Sequence, residues 1–188
     1  MDERDIYQFY NDKVKVIYSE IEARNNVLPV ELLFEIHSAF DHLKRIHIDG
    51  ASASEQIEKA YSHLKRGCLD AFKLKLKFFN DDQNKIYGKK ADLRIIDNGT
   101  FIGNFISDRR EIVKCAKEAR LAESLKNVDE AFDRWYHVST MIDAFEEKYF
   151  DTDKICWAEK QNFFKFAGTF VTGIVTGVIA SVVVWCVT

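Results

Sequence analysis

A single proline, Pro29, stands in a chain of 188 residues, so almost nothing interrupts helical periodicity along its length. Four cysteines, Cys68, Cys115, Cys156 and Cys186, lie far apart with no CxxC pair. That spacing excludes a disulfide framework and a cysteine zinc site, and it fits a reducing compartment. Charge of one sign is lacking as well. Thirty acidic and 27 basic residues leave a net charge of −3, too balanced for a bulk polyanion binder such as a DNA-coating protein. The opening MDERDIYQFY has charges where a secretion signal needs an apolar run, so no cleavable signal is expected. There is no Gly-rich phosphate loop, nucleophile elbow or paired-carboxylate motif. No enzymatic activity and no cofactor are expected.

The most informative absence is at the C-terminal end. Residues Phe166 to Thr188 carry no charged side chain, and the last charge before them is Lys165. A helix of that length extends roughly 34 Å, enough for a hydrocarbon core of about 30 Å. A transmembrane helix over 166–188 is therefore expected, in contact with membrane lipid. It follows a juxtamembrane helix at 151–165 and a cytosolic bundle at 1–150. Lys148, Lys154, Lys160 and Lys165, set against Asp151, Asp153 and Glu159, favour a single-pass protein in the cell inner membrane with its bulk in the cytoplasm. Asn98-Gly99-Thr100 matches a glycosylation acceptor that has no role in that orientation.

The rest reads as an all-α, antiparallel helical bundle. A first helix covers about 3–25, with Ile6, Phe9, Tyr10, Val14, Ile17, Tyr18 and Ile21 on one face. Pro29 opens a second to about 48, facing inward with Leu32, Leu33, Ile36, Ala39, Phe40, Leu43 and Ile46. Ser52 and Glu55 form a capping-box signature for a third, to about 79. Its face is Ile57, Tyr61, Leu64, Cys68, Phe72, Leu76 and Phe79. Asn80, Asp81 and Asp82 mark a turn, and Gly88 breaks any longer helix. In 80–104, Asp97-Asn98-Gly99 between apolar residues signals a hairpin, or else Gly99 ends a short helix; an ordered connector packed on the bundle is preferred. Helices at about 105–125 and 128–150 follow, broken at Asn127 or Asp129, and from Asp153 one helix continues toward the terminus.

Three constellations carry candidate chemistry. In the apolar tail Thr169, Gly173, Gly177 and Ser181 recur every fourth residue, and Thr169, Thr172 and Thr176 form a neighbouring stripe. Small residues let helix backbones approach closely where lipid removes the hydrophobic drive, so a homo-oligomer is expected, with Phe170, Ile174, Val178 and Trp185 toward lipid. A ring of such helices would make a pore lined by hydroxyls; an ordinary anchor is the alternative. On the third helix Lys59, His63, Arg66, Lys73 and Lys77 keep to one face, a possible groove for a ligand phosphate or RNA, or else a solvated surface. Arg134 and His137 lie one turn apart and are the only candidate catalytic pair, a cation to steady a phosphorane beside an imidazole to move a proton. His37, His42 and His47 fall on different faces, so no metal site is expected.

A compact helical domain with one membrane helix and no enzyme signature resembles the small membrane effectors of bacterial anti-phage defence. In layout it is similar to the HEPN-like transmembrane accessory protein of RNA-guided CRISPR systems. That resemblance implies a pore-forming assembly and a protein or RNA-guided defence partner. HEPN nucleases separate their Arg and His by four to six residues, whereas two separate Arg134 and His137, which speaks against nuclease activity. The leading expectation is a non-enzymatic, self-associating membrane effector. The alternatives are a tail-anchored scaffold and an RNA-binding or RNA-cleaving HEPN-like domain.

Overall fold

The computed structural model describes residues 1–88, 93–125, 127–150 and 152–187. Side chains are described for these except 85–88, 152, 162–163, 165–167, 171, 177–178 and 180–187. The described residues are mostly helical and contain no strand. Helix α1 (Glu3–Phe9) passes through a π-helical turn (Tyr10–Val14) into α2 (Lys15–Asn25), so the expected first helix forms with one wide turn inside it. Asp2 and Asp5 cap its start reciprocally, at 3.1 and 2.6 Å. Its far end closes on Asn26 in the left-handed region. After Pro29, α3 (Val30–His47) and α4 (Ala53–Gly88) run antiparallel as the most closely associated pair. A 3-10 connector (Leu93–Gly99), α5 (Thr100–Ser124), α6 (Val128–Tyr149) and α7 (Thr152–Val187) complete the chain.

The closeness of α3 and α4 has a local cause at Gly67. A Cβ there would lie 2.7 Å from Leu32 Cδ1 and 3.0 Å from Glu35 Cβ. Asn127 caps α6 through Glu130 N–H at 3.2 Å, which identifies the α5–α6 break. The core centres on α4 and α6. Phe79, Phe105, Phe145 and Tyr149 meet in edge-to-face and tilted pairs within it, with centroids 4.6–5.4 Å apart, and Trp135 of α6 is also fully buried.

Two expectations need correction, and of the readings for 80–104 the preferred ordered connector holds while the hairpin alternative does not. The third helix does not stop at Asn80–Asp82 but runs on to Gly88. Phe79 and Gln83 are buried there and Asp82 is paired with Arg24, so tertiary contacts override a local turn signal. No hairpin forms at Asp97-Asn98-Gly99. All three residues take positive φ (47°, 54° and 87°) and reverse the chain into α5, while Leu93 and Ile96 seat the connector on the bundle. The spacing puts Leu33 and Phe40 on the inner face of α3, yet they are 37% and 52% exposed. With α4 as its principal neighbour, α3 buries only the narrow stripe Leu32, Ala39 and Leu43.

Candidate functional site

Helix α7 begins as part of the bundle and ends as something else. Its first turns bury Ile155 and Ala158 and pack on the 3-10 connector, and Lys154 reaches Asp97 at 3.4 Å. Farther along, Phe164, Phe170, Ile174, Val175 and Ile179 are exposed. A Cβ built on Gly168 or Gly173 meets no atom within 4 Å. Thr172 donates its hydroxyl to Gly168 O at 2.8 Å, and Thr176 donates to Thr172 O and Gly173 O at 2.9 and 3.0 Å. The hydroxyl protons of Thr172 and Thr176 are thus directed to the helix's own carbonyls. Gly177, Ser181, Val178 and Trp185 lie outside the described side chains. Among the described residues, no helix is long and apolar enough to cross a membrane.

The basic row of α4 does not stay together as a row. Lys59 is held by Glu55 at 2.5 Å. His63 Nδ1 meets Glu35 Oε2 at 2.5 Å, and Arg66 Nη2 lies 3.3 Å from the same nitrogen. Lys73 turns toward α5, bridging Asp70 at 2.6 Å and Glu123 at 2.9 Å. Lys77 is exposed. Carboxylates from α3, α4 and α5 neutralise most of the row, which removes the concentrated positive field that a polyanion groove requires. The structure adds His42 to this region: its ring stacks on His63 with centroids 5.1 Å apart, and its Nδ1 meets Gln56 Oε1 at 2.7 Å.

Arg134 and His137 are not assembled into a dyad. Arg134 is exposed and committed to Glu130 at 2.8 Å and Glu118 at 3.4 Å. His137 is also exposed, and among the described residues no contact joins the two. Both carboxylates compete with any anionic group for this guanidinium. Among the described residues no group of His, Cys, Asp and Glu could hold a metal ion.

Sequence reasoning missed the charged cluster between α2, α4 and α6. Lys75 is only 2% exposed, and its ammonium meets Glu20 at 2.5 Å, Asp143 at 2.6 Å and Ser139 at 2.9 Å. Three acceptors satisfy its three protons, so this lysine is a structural cation with no spare lone pair for nucleophilic work. A groove of about 110 Å³ adjoins it, lined by Asp12, Lys13, Glu20, Tyr136, Ser139 and Asp143. One turn farther on, Arg24 clamps Glu146 bidentately at 2.5 and 2.6 Å and reaches Asp82 at 3.1 Å. The signal was present in the spacing: Lys75 stands three residues after Phe72 and four before Phe79, on the apolar face of its own helix.

The cysteines bear directly on reactivity. Cys68 is buried, and that burial pushes its thiol up to about 12. Cys156, in contrast, is exposed on α7. A thiol reagent at pH 8 is expected to modify Cys156 in the folded chain and to reach Cys68 only in denaturant. Comparable rates for the two, read by peptide mass spectrometry, would show that the α4 core is open.

No family model matches the chain, and neither a curated protein nor a solved structure matches it.

Proposed function

We propose that this chain is a membrane-associated, self-associating helical effector, with a bundle that receives a partner or signal and an α7 that enters lipid and meets other copies of itself. The carrying observation is the outer part of α7. There, exposed Phe170, Ile174, Val175 and Ile179 accompany threonine hydroxyls already bonded to their own helix. The uncharged run from Phe166 to Thr188 extends that character through the sequence. Such a surface is unfavourable in water and suited to lipid or to another helix of the same kind. The reading is non-enzymatic, and the pairing of Arg134 and of the α4 cations supports that choice over RNA cleavage.

The test is substitution of Gly173 and Gly177 together by isoleucine, which adds bulk along the line of close approach. The expected result is a smaller particle in detergent, by light scattering, with the chain still recovered in the membrane pellet and loss of any toxicity on expression. Unchanged particle mass together with unchanged toxicity refutes self-association through α7. Recovery of the unmodified chain in the supernatant after ultracentrifugation, without surfactant, refutes the membrane assignment.

A further inference from the structure

We infer that the groove beneath the π-helical turn binds a small primary alkyl monoamine, with its ammonium between Glu20 and Asp143 and its stem running toward Tyr136. This gives a chemical class to the signal that the bundle receives, and it rests on that reading only for the use made of the ligand. Asp12 and Lys13, from the turn Tyr10–Val14, form the rim of the groove, and single π-helical turns occur frequently at functional positions. The floor adjoins the buried Lys75. Its ammonium meets Glu20 Oε1 at 2.5 Å and Asp143 Oδ1 at 2.6 Å, and it donates to Ser139 Oγ at 2.9 Å. Both carboxylates line the groove, and the second oxygen of each makes no hydrogen bond among the described residues. Two carboxylates share one ammonium, so the surplus negative charge borders the cavity.

Charge, volume and lining select the ligand. Around the cavity Asp12, Glu20 and Asp143 stand against Lys13 and Lys75, an excess of one negative charge that a single ammonium neutralises. Val16, Ile17 and Phe72 line the same groove and offer apolar surface for a hydrocarbon stem to cover. A volume of about 110 Å³ has room for roughly seven to eleven water positions at about 10–15 Å³ each, which suits a stem of about four to six carbons. Lys13 decides how many charges the ligand carries. Its Nζ lies 4.0 Å from the centroid of the Tyr136 ring, and no carboxylate pairs with it among the described residues. This ammonium already occupies the aromatic wall, about 10 Å along α6 from Asp143, so a second cationic group on the ligand meets repulsion there. The groove therefore selects a monoamine over a diamine of the same length. An inorganic cation has no stem to cover the apolar wall, and an anion meets the carboxylate excess.

The experiment is calorimetry on the full chain in nonionic detergent at neutral pH, with circular dichroism to confirm folding. Pentylammonium is titrated beside methylammonium, pentanol and 1,5-diaminopentane. Pentylammonium is expected to bind saturably, at least about tenfold more tightly than each of the other three. Thr140→Trp, at an exposed position on the groove wall, fills the cavity and is expected to abolish binding while the fold is kept. Asp143→Asn removes the surplus charge and weakens binding by about tenfold or more. Lys13→Gln leaves pentylammonium bound and brings the diamine to equal affinity or better, a reversal that a merely structural lysine does not produce. No saturable binding of pentylammonium to the parent overturns the inference, as does a Thr140→Trp chain that binds like the parent. Equal affinity for methylammonium or pentanol overturns the ligand class, and a Lys13→Gln chain that still rejects the diamine overturns the role of Lys13. None of these readouts depends on α7 entering lipid, so this site and the membrane reading fail separately.

Discussion

Replacing Arg24 by methionine is expected to lower the unfolding free energy by about 3 kcal/mol at pH 7. Removing one member of a buried ion pair typically costs about 3–5 kcal/mol because the remaining charge loses its compensation. The lower end applies because Arg24 is about a quarter exposed and Asp82 likewise, with Glu146 at 17%. Adding Glu146→Met to Arg24→Met is expected to return more than half of the loss, since the pair is then replaced by apolar volume. The deficit also has a pH signature. Burial pushes the Glu146 carboxyl above the usual carboxylate range even with Arg24 in place. A carboxyl whose folded pKa exceeds its unfolded value contributes stability below the unfolded pKa, and that contribution is lost as pH rises through the folded one. The Arg24→Met deficit is therefore larger at pH 7 than at pH 4. Urea unfolding at both pH values checks this; a loss below about 1 kcal/mol at pH 7 would mean that the clamp is a surface pair of the ordinary weak kind.

Trp135→Ala is expected to be more damaging still, at about 3–5 kcal/mol, the usual range for deleting a large buried aromatic. Trp135 has no exposed surface, and it sits on α6 in the layer shared with α4 and α5. Its indole Nε1 has no acceptor among the described residues. A buried N–H without a partner is itself costly, so Trp135→Phe is expected to lose only about 1 kcal/mol, because the cavity it opens is partly offset by removal of that donor. The contrast between the two variants is the measurement. Equal losses in urea unfolding would place the indole N–H in a hydrogen bond that matters, and a mild Trp135→Ala would show the α4–α6 layer to be loosely packed.

Helix type and most inward faces are legible because the signals are periodic and locally enforced, whereas the π turn that splits the first helix is not. Ile6, Val14, Ile17 and Ile21 are all buried, and Asn127 caps α6. The failures share a cause: each depended on what another element supplies. Asn80–Asp82 form a turn only in the absence of Arg24 and of the aromatic layer around Phe79. Phe40 is inward only if α3 has two full neighbours. In the candidate site, the small-residue stripe was readable as a pattern, but the return of Thr172 and Thr176 hydroxyls to their own carbonyls is a rotamer property that composition does not carry. That acidic residues elsewhere compensate the basic row of α4 is legible from the charge balance, but Glu35 and Glu123 are not identifiable as its partners because they are remote in sequence. Lys75 marks the opposite case, a charge whose position among Phe72 and Phe79 already announced burial.

The seating of α3 on essentially one neighbour divides the chain into regions of unequal persistence. Amide protons of α4 and α6 are shielded from several sides and exchange with solvent only when the whole fold opens. Those of α3 are guarded by one interface, so a partial opening that leaves α4 and α6 paired is enough to release them. The chain thus carries a detachable outer member, whose fluctuation sets how often the apolar side of α4 beneath it is bared.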